Sequence, residues 1–231
     1  MKRTQQRRDF VKLTIAAGTP LALAAAPSRA LGRVDSALQN DASFFDTVRG
    51  RRSVRRFRPA PVPDGDLMLI LDAARLAPTS GNQQPWKFLV VRDRVAIDRM
   101  REACVERGLD ARRARGTAVT PEVIEAVERS MQGYFSAPVY IVVLTDNESR
   151  YPAYNHFDGP LAAGYLMLAA RALGYGTVFI TDSVPDDVTR TVLDIPDRYT
   201  RVCITPIGVP EAWPDSPAKK DLEEFIVRER F

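Results

Sequence analysis

The chain has 231 residues, 45% of them hydrophobic and 27% charged, which suits an ordinary globular protein able to bury its own core. A formal charge of +4 and a pI near 9.2 give a basic chain, although a genuine polyanion binder is usually more basic still. Residues 1–30, however, hold six basic side chains against one acid, so the remainder carries about −1 and a nucleic-acid partner is not expected. The single histidine, His156, argues against a Ser-His-Asp triad and against a multi-histidine metal site. Cys104 and Cys203 fit no metal motif and are expected as two separate buried side chains rather than a disulfide.

Taken in chain order, residues 1–30 read as an export address. A basic start precedes a mildly apolar run over 13–26, too short for a membrane span and interrupted by Gly18 and Pro20. Ser28-Arg29-Ala30 offers a cleavage site. The stretch RRDFVK resembles a twin-arginine signal through Arg7, Arg8, Phe10 and Lys12. That resemblance implies transit of a folded, cofactor-loaded protein through the twin-arginine export machinery, with a periplasmic or otherwise exported location. A cytoplasmic location is the alternative. Residues 31–42 read as a linker and 43–231 as the folded domain.

Within the domain, a short helix is expected over 43–49 with Ser43 as N-cap. Pro59, Pro61 and Pro63 impose an extended stretch. Asp64 then caps a helix over 65–77 that carries Leu67, Ile70, Leu71 and Ala74 at helical spacing, and Pro78 stops it. TSGNQQP is a polar loop, and residues 86–93 read as a buried strand. A helix over 94–107 leads into a basic loop, DARRARG. Thr120 and Pro121 open a helix to Tyr134. A second strand follows over 137–146, then a polar, mobile loop over 147–155. An apolar helix over 158–173 ends at Gly174. GTVFIT reads as a third strand, Pro185 opens a short helix to Leu193, and RVCITPIGVP reads as a fourth strand before an amphipathic tail. No Gly-rich loop follows a strand in the dinucleotide-binding pattern, so an α+β domain fits better than a Rossmann fold.

Three stretches stand out chemically. RRSVRRFRP holds five arginines within eight positions. Guanidinium forks suit phosphate oxygens, and Arg51, Ser53 and Arg55 would project to one side of an extended segment. APTSGNQQPW packs neutral donors and acceptors between two prolines, a composition able to read the edge of a heteroaromatic ring. Lys219 and Lys220 follow a proline-rich turn and could close on the same phosphate.

The order of RRSVRRF, ILDAARLAPTSGNQQPWKFLVV, GPLAAGYLMLAARALGYGT and PIGVP with a basic tail resembles the nitroreductase family of flavoproteins, from about Phe44 to the C-terminus. The resemblance implies an α+β sandwich with a mainly antiparallel central sheet flanked by helices. It implies an intertwined homodimer sharing two FMN sites. Arg51, Arg52, Ser53 and Arg55 match the positions that hold the FMN phosphate, ribityl chain and pyrimidine edge. Pro78, Thr79, Ser80 and Asn82 match the interface loop near the flavin, with Gln84 in the same motif. Phe179, Ile180 and Thr181 match the strand end against the isoalloxazine ring, where a backbone N–H meets N5. One of Lys219 and Lys220 matches a late basic residue that reaches the phosphate. The implied activity is ping-pong reduction of nitroaromatic, quinone or similar planar acceptors, with NAD(P)H or another reductant as donor. No side chain is nominated as catalytic and no metal is expected. An exported enzyme would need a donor other than cytoplasmic NAD(P)H. Flavin-fragmenting and dehalogenating branches of the same fold, with lids over 108–120 or 147–155, and a non-catalytic flavin or anion-binding module stay open as alternatives.

Overall fold

The computed structural model describes residues 44–231. The segments read as an export address and a linker, and the expected Ser43 cap, lie outside the described residues. Among the described residues six α-helices form in chain order: α1 (Phe44–Gly50), α2 (Asp64–Arg75), α3 (Arg94–Ala114), α4 (Pro121–Tyr134), α5 (Asn155–Ala172) and α6 (Asp186–Leu193). Three strands, β1 (Trp86–Val91), β2 (Val139–Asp146) and β3 (Tyr199–Ile207), pair antiparallel in that order.

The middle strand explains the layering. β2 reads VYIVVLTD, apolar without alternation, because both of its faces are covered. Tyr140, Val142 and Leu144 join a cluster with Ile97, Met100 and Cys104 of α3 and Val188 of α6. Val139, Ile141 and Val143 point the other way, into a cluster with Leu67 and Ile70 of α2 and Leu166 and Ala170 of α5. The expected α+β sandwich is what forms. Cys104 sits in the first cluster and Cys203 in the second, so the sheet separates them and both are free thiols. Burial pushes the Cys104 thiol up to about 11 and the Cys203 thiol up to about 12.

Several boundaries differ from expectation. GTVFIT is not a ladder strand. It touches the sheet edge only through bridges of Gly176 to Gly208 and Ile180 to Ile204, and on its outer side Ser53 pairs with Thr177. Helix α3 runs on to Ala114 and absorbs most of DARRARG, since Gly108 is a packing contact rather than a stop. A Cβ there would lie 3.4 Å from Val127 Cγ1 of α4. Arg112 and Arg113 then fall in the last turn, where cations are favoured. Asp64 is the first helical residue of α2 rather than a side-chain cap. α5 starts at Asn155, before the expected 158, which leaves Pro160 inside the helix. The loop before it is not loose. The Asn155 amide donates to the Asp146 carbonyl at 2.8 Å and accepts from Ser149 Oγ at 3.1 Å.

Candidate functional site

The segment after α1 passes along the outer edge of the sheet. The Val54 N–H donates to the Thr177 carbonyl at 2.9 Å, and Val54 is buried while Arg51, Arg52 and Ser53 are half-buried. Arg51, Arg52 and Ser53 line a cleft of about 780 Å³ together with Arg49, Arg55, Pro214, Asp215, Ser216, Pro217 and Lys219. Five cationic side chains thus face one carboxylate. Arg52 is partly committed elsewhere, donating to the Arg49 and Arg51 carbonyls at the C-terminal end of α1. Arg55 donates to the Ser53 carbonyl at 3.3 Å. The side chains of Arg51, Ser53 and Lys219 have no protein partner among the described residues, so their donors are available to a ligand. Lys220 points away and pairs with Glu224 at 3.6 Å. The tail therefore brings Lys219, and not Lys220, to the arginines.

The strand-end residues border the same edge. Ile180 exchanges both main-chain bonds with Ile204, at 3.2 and 3.0 Å. Alternation along the chain turns the N–H groups of Phe179 and Thr181 to the opposite side, where Thr177 accepts from Val54. No main-chain acceptor takes either N–H among the described residues. The main-chain donors left at this edge are thus those of Phe179 and Thr181 and not that of Ile180. Phe179 is 37% exposed and lines a second, mainly apolar cavity of about 570 Å³ with His156, Pro160 and Arg201.

The loop from Pro78 to Gln84 does not line the arginine cleft. It is held at the N-terminal end of α5, and the holding residue is one the sequence reading passed over. Asp158, 2% exposed, accepts from the Ser80 N–H at 3.1 Å, from Ser80 Oγ at 3.4 Å and from Gln83 Nε2 at 2.7 Å. Gln83 Oε1 in turn accepts from the Tyr151 N–H at 2.7 Å. Gly81 is required twice over: its φ is +57°, and a Cβ would meet Tyr151 Cε2 at 2.6 Å. Asn82 and Gln84 also adopt positive φ, 52° and 49°, a cost of order 1 kcal/mol or more each for residues bearing a Cβ. Thr79 Oγ1 accepts from the Gln84 N–H at 3.2 Å, and Asn82 Oδ1 accepts from Gln84 Nε2 at 3.1 Å. Asn82 and Gln84 are otherwise exposed.

Two further residues support the site. The Arg201 side chain is only 6% exposed and donates to the Thr181 carbonyl at 2.8 Å, the Val184 carbonyl at 2.8 Å and Thr189 Oγ1 at 2.9 Å, with Asp186 at 3.1 Å. Burial pulls its guanidinium below the ordinary value, opposed by Asp186. Tyr134, at the end of α4, lies beside Arg55 and Ser183, and its phenol is held below the usual range first by Ser183 and then by Arg55. The sequence carried faint signals for two of these: Asp158 is a lone acid in an apolar helix, and Arg201 opens an apolar strand. No cluster of metal-binding side chains occurs among the described residues, and no helix among them is long and apolar enough to cross a membrane.

A two-faced antiparallel sheet with an arginine cleft on its edge defines a recognisable class. Residues 48–209 match the Nitroreductase family, and the chain belongs to that family. It is 33% identical over 190 residues to the 5,6-dimethylbenzimidazole synthase of Rhodobacter capsulatus, covering 76% of this chain and 87% of that one. It is 33% identical over 179 residues to the NADH dehydrogenase of Thermus thermophilus, covering 69% and 83%. The fold superposes on an oxidized iodotyrosine deiodinase bound to FMN and 3-iodo-L-tyrosine with a TM-score of 0.65 and 25% identity, covering 81% and 99%. The relatives share a fold but carry names of three different activities.

Proposed function

We propose that this chain is an FMN-dependent oxidoreductase that reduces nitroaromatic, quinone or similar planar acceptors. The observation that carries this reading is the set of unengaged donors, Arg51, Ser53 and Lys219, converging on one cleft in a body close to neutral. That donor set fits a phosphate monoester: cations, a short hydroxyl and few competing acids. Arg51, Ser53 and Lys219 would hold the FMN phosphate, and Arg55 would face the ring edge. The N–H groups of Phe179 and Thr181 would border the ring. FMN supplies two-electron transfer in two half-reactions, from a reductant and then to an acceptor. The protein's part is then to bind, orient and place positive charge, with no side chain acting as nucleophile or base.

The loop carrying Pro78, Thr79, Ser80, Asn82 and Gln84 belongs to this reading as a contribution to the flavin site of a second copy. Proteins of this family are generally homodimers. Phe157, Leu161 and Tyr165 form an exposed apolar row at every fourth residue of α5, and no residue from 211 to 231 is buried. Both features suit a partner of the same chain. The RRDFVK stretch supports an exported protein fed by a reductant other than cytoplasmic NAD(P)H. Cell fractionation that places the whole protein in the cytoplasm would overturn the export reading and leave the enzyme reading standing.

Purified protein is expected to be yellow with one FMN per chain. Charge-assisted hydrogen bonds are worth about 1.5–3 kcal/mol each. Replacing Arg51 and Ser53 together with alanine should therefore weaken FMN binding by about 100-fold or more, read from the recovery of flavin fluorescence on dilution. A colourless wild-type protein that takes up no added FMN would refute the reading, as would a double variant with unchanged affinity.

A further inference from the structure

Helix α4 received no functional assignment from the sequence, yet its C-terminal end is pressed against the arginine segment. A Cβ on Gly133 would lie 3.3 Å from the Arg55 carbonyl. Ser136 Oγ accepts from the Phe57 N–H at 3.1 Å and donates to the Gly133 carbonyl at 2.9 Å. Between these contacts the Tyr134 carbonyl accepts from the hydroxyl of fully buried Tyr140 at 2.9 Å. The backbone of Tyr134 is thereby tied to the core while its side chain reaches outward.

The ring takes up a bridging position. The Arg55 guanidinium lies 6.0 Å from its centroid, and Ser183 Oγ donates to the phenol oxygen at 3.4 Å. Arg55 lies two residues past Ser53, and Ser183 two residues past Thr181. Tyr134 therefore links the two chain segments that border the cleft edge. The manner of holding Arg55 matters. No carboxylate pairs with it among the described residues; its partners are the ring and phenol oxygen of Tyr134 and the neutral Ser53 carbonyl. A carboxylate would orient the guanidinium and cancel its charge. A ring orients it and leaves the charge for a ligand.

We propose that Tyr134 is a positioning residue that holds Arg55, un-neutralised, at the flavin edge and thereby raises the reduction potential of bound FMN. This rests on the FMN reading above. A cation fixed beside the edge where negative charge develops on reduction favours the reduced form over the oxidised one. A cation free to swing into water favours it less.

The test is the midpoint potential of the holoprotein, measured by equilibration with a reference dye. In Tyr134→Leu, FMN should stay bound while its preference for the reduced form falls three- to tenfold, a drop of about 15–30 mV for a two-electron couple. Tyr134→Phe keeps the ring and should recover most of that shift, which separates the aromatic contact from the hydrogen bonds of the phenol to Ser183 and Arg55. In an Arg55→Met background, Tyr134→Leu should add nothing, because its effect passes through Arg55. An unchanged potential in Tyr134→Leu at full occupancy overturns the proposal, and so does a shift that adds to that of Arg55→Met. Arg55→Met with the wild-type potential removes the role of Arg55 and this proposal with it, but leaves FMN binding intact. Wild-type protein that binds no FMN overturns both.

Discussion

Asp158→Ala isolates the residue that holds the Pro78–Gln84 loop. Its carboxylate is 2% exposed and has two good donors, Gln83 Nε2 at 2.7 Å and the Ser80 N–H at 3.1 Å; the Ser80 hydroxyl at 3.4 Å is a weaker third. Two hydrogen bonds to a charged acceptor are worth about 3–6 kcal/mol in total. Ser80 and Gln83 are only half-buried, so the freed donors recover part of that from water. The net cost should be about 2–3 kcal/mol, which lowers Tm by about 4–12 °C for a domain of this size. Asp158→Asn should cost less, because one oxygen still accepts while the amide nitrogen opposes that of Gln83. The assay is urea unfolding with native-state hydrogen exchange. The exchange of the Asn82 and Gln83 amides should rise by more than that of β2. A stability within about 0.5 kcal/mol of wild type would show that the buried carboxylate does not anchor the loop.

Two pH predictions follow from the titrating groups. Cys104 and Cys203, with folded values of about 11 and 12 against an ordinary 9.0, keep their protons in the native state longer than in the unfolded one. Stability is therefore fully present below about pH 9 and falls as pH rises through the folded values, so the urea midpoint should drop between pH 9 and 11, less steeply in Cys203→Ala. Asp146 behaves in the opposite sense. The Arg198 guanidinium, at 2.8 and 2.6 Å from its two oxygens, holds its carboxyl below the usual value. Its contribution is present above the ordinary carboxylate range and lost as pH falls through the folded value, so Asp146→Asn should flatten the decline of stability below pH 5.

What could be read from the sequence divides along the length scale of each signal. β2 was legible because a run such as VYIVVLTD is short and rich in β-branched side chains, which favours a strand covered on both faces over a buried helix. The GTVFIT segment has the same composition but lies where the sheet frays. Its status as two bridges rather than a ladder depends on how Ser53 and Gly208 approach it, and that is set by residues more than 25 positions away. The gathering of Arg51, Ser53 and Arg55 on one cleft was legible because residues at alternating positions of an extended segment share a side, which is a local pattern. The choice between Lys219 and Lys220 was not, since it turns on Glu224 drawing one of two adjacent cations aside. Asp158, Arg201 and Tyr134 escaped for a common reason: each acts through contacts with segments distant in sequence, and a lone residue in an apolar or mixed segment has no period to betray it.

The same contrast bears on how the site is built. The arginine cleft consists of short-range pieces: the end of α1, an extended segment and a turn carrying Lys219, with the extended segment bridged to the frayed strand through Ser53 and Thr177. The Pro78–Gln84 loop is held in strained form by a buried carboxylate, yet among the described residues the side chains of Asn82 and Gln84 hydrogen-bond only within that pair. Strain of this kind persists only where the surroundings over-determine it, and it concentrates at ligand sites. A loop over-determined from behind and open in front suits a surface completed by something else. The neighbouring apolar row of Phe157, Leu161 and Tyr165 argues that the completing surface is protein, and the absence of charge from that row argues for a packed contact rather than a steered encounter. On the proposed reading, FMN retention and self-association are then one equilibrium seen from two sides, because each flavin would rest on Arg51 and Ser53 of one copy and on the Asp158-anchored loop of the other.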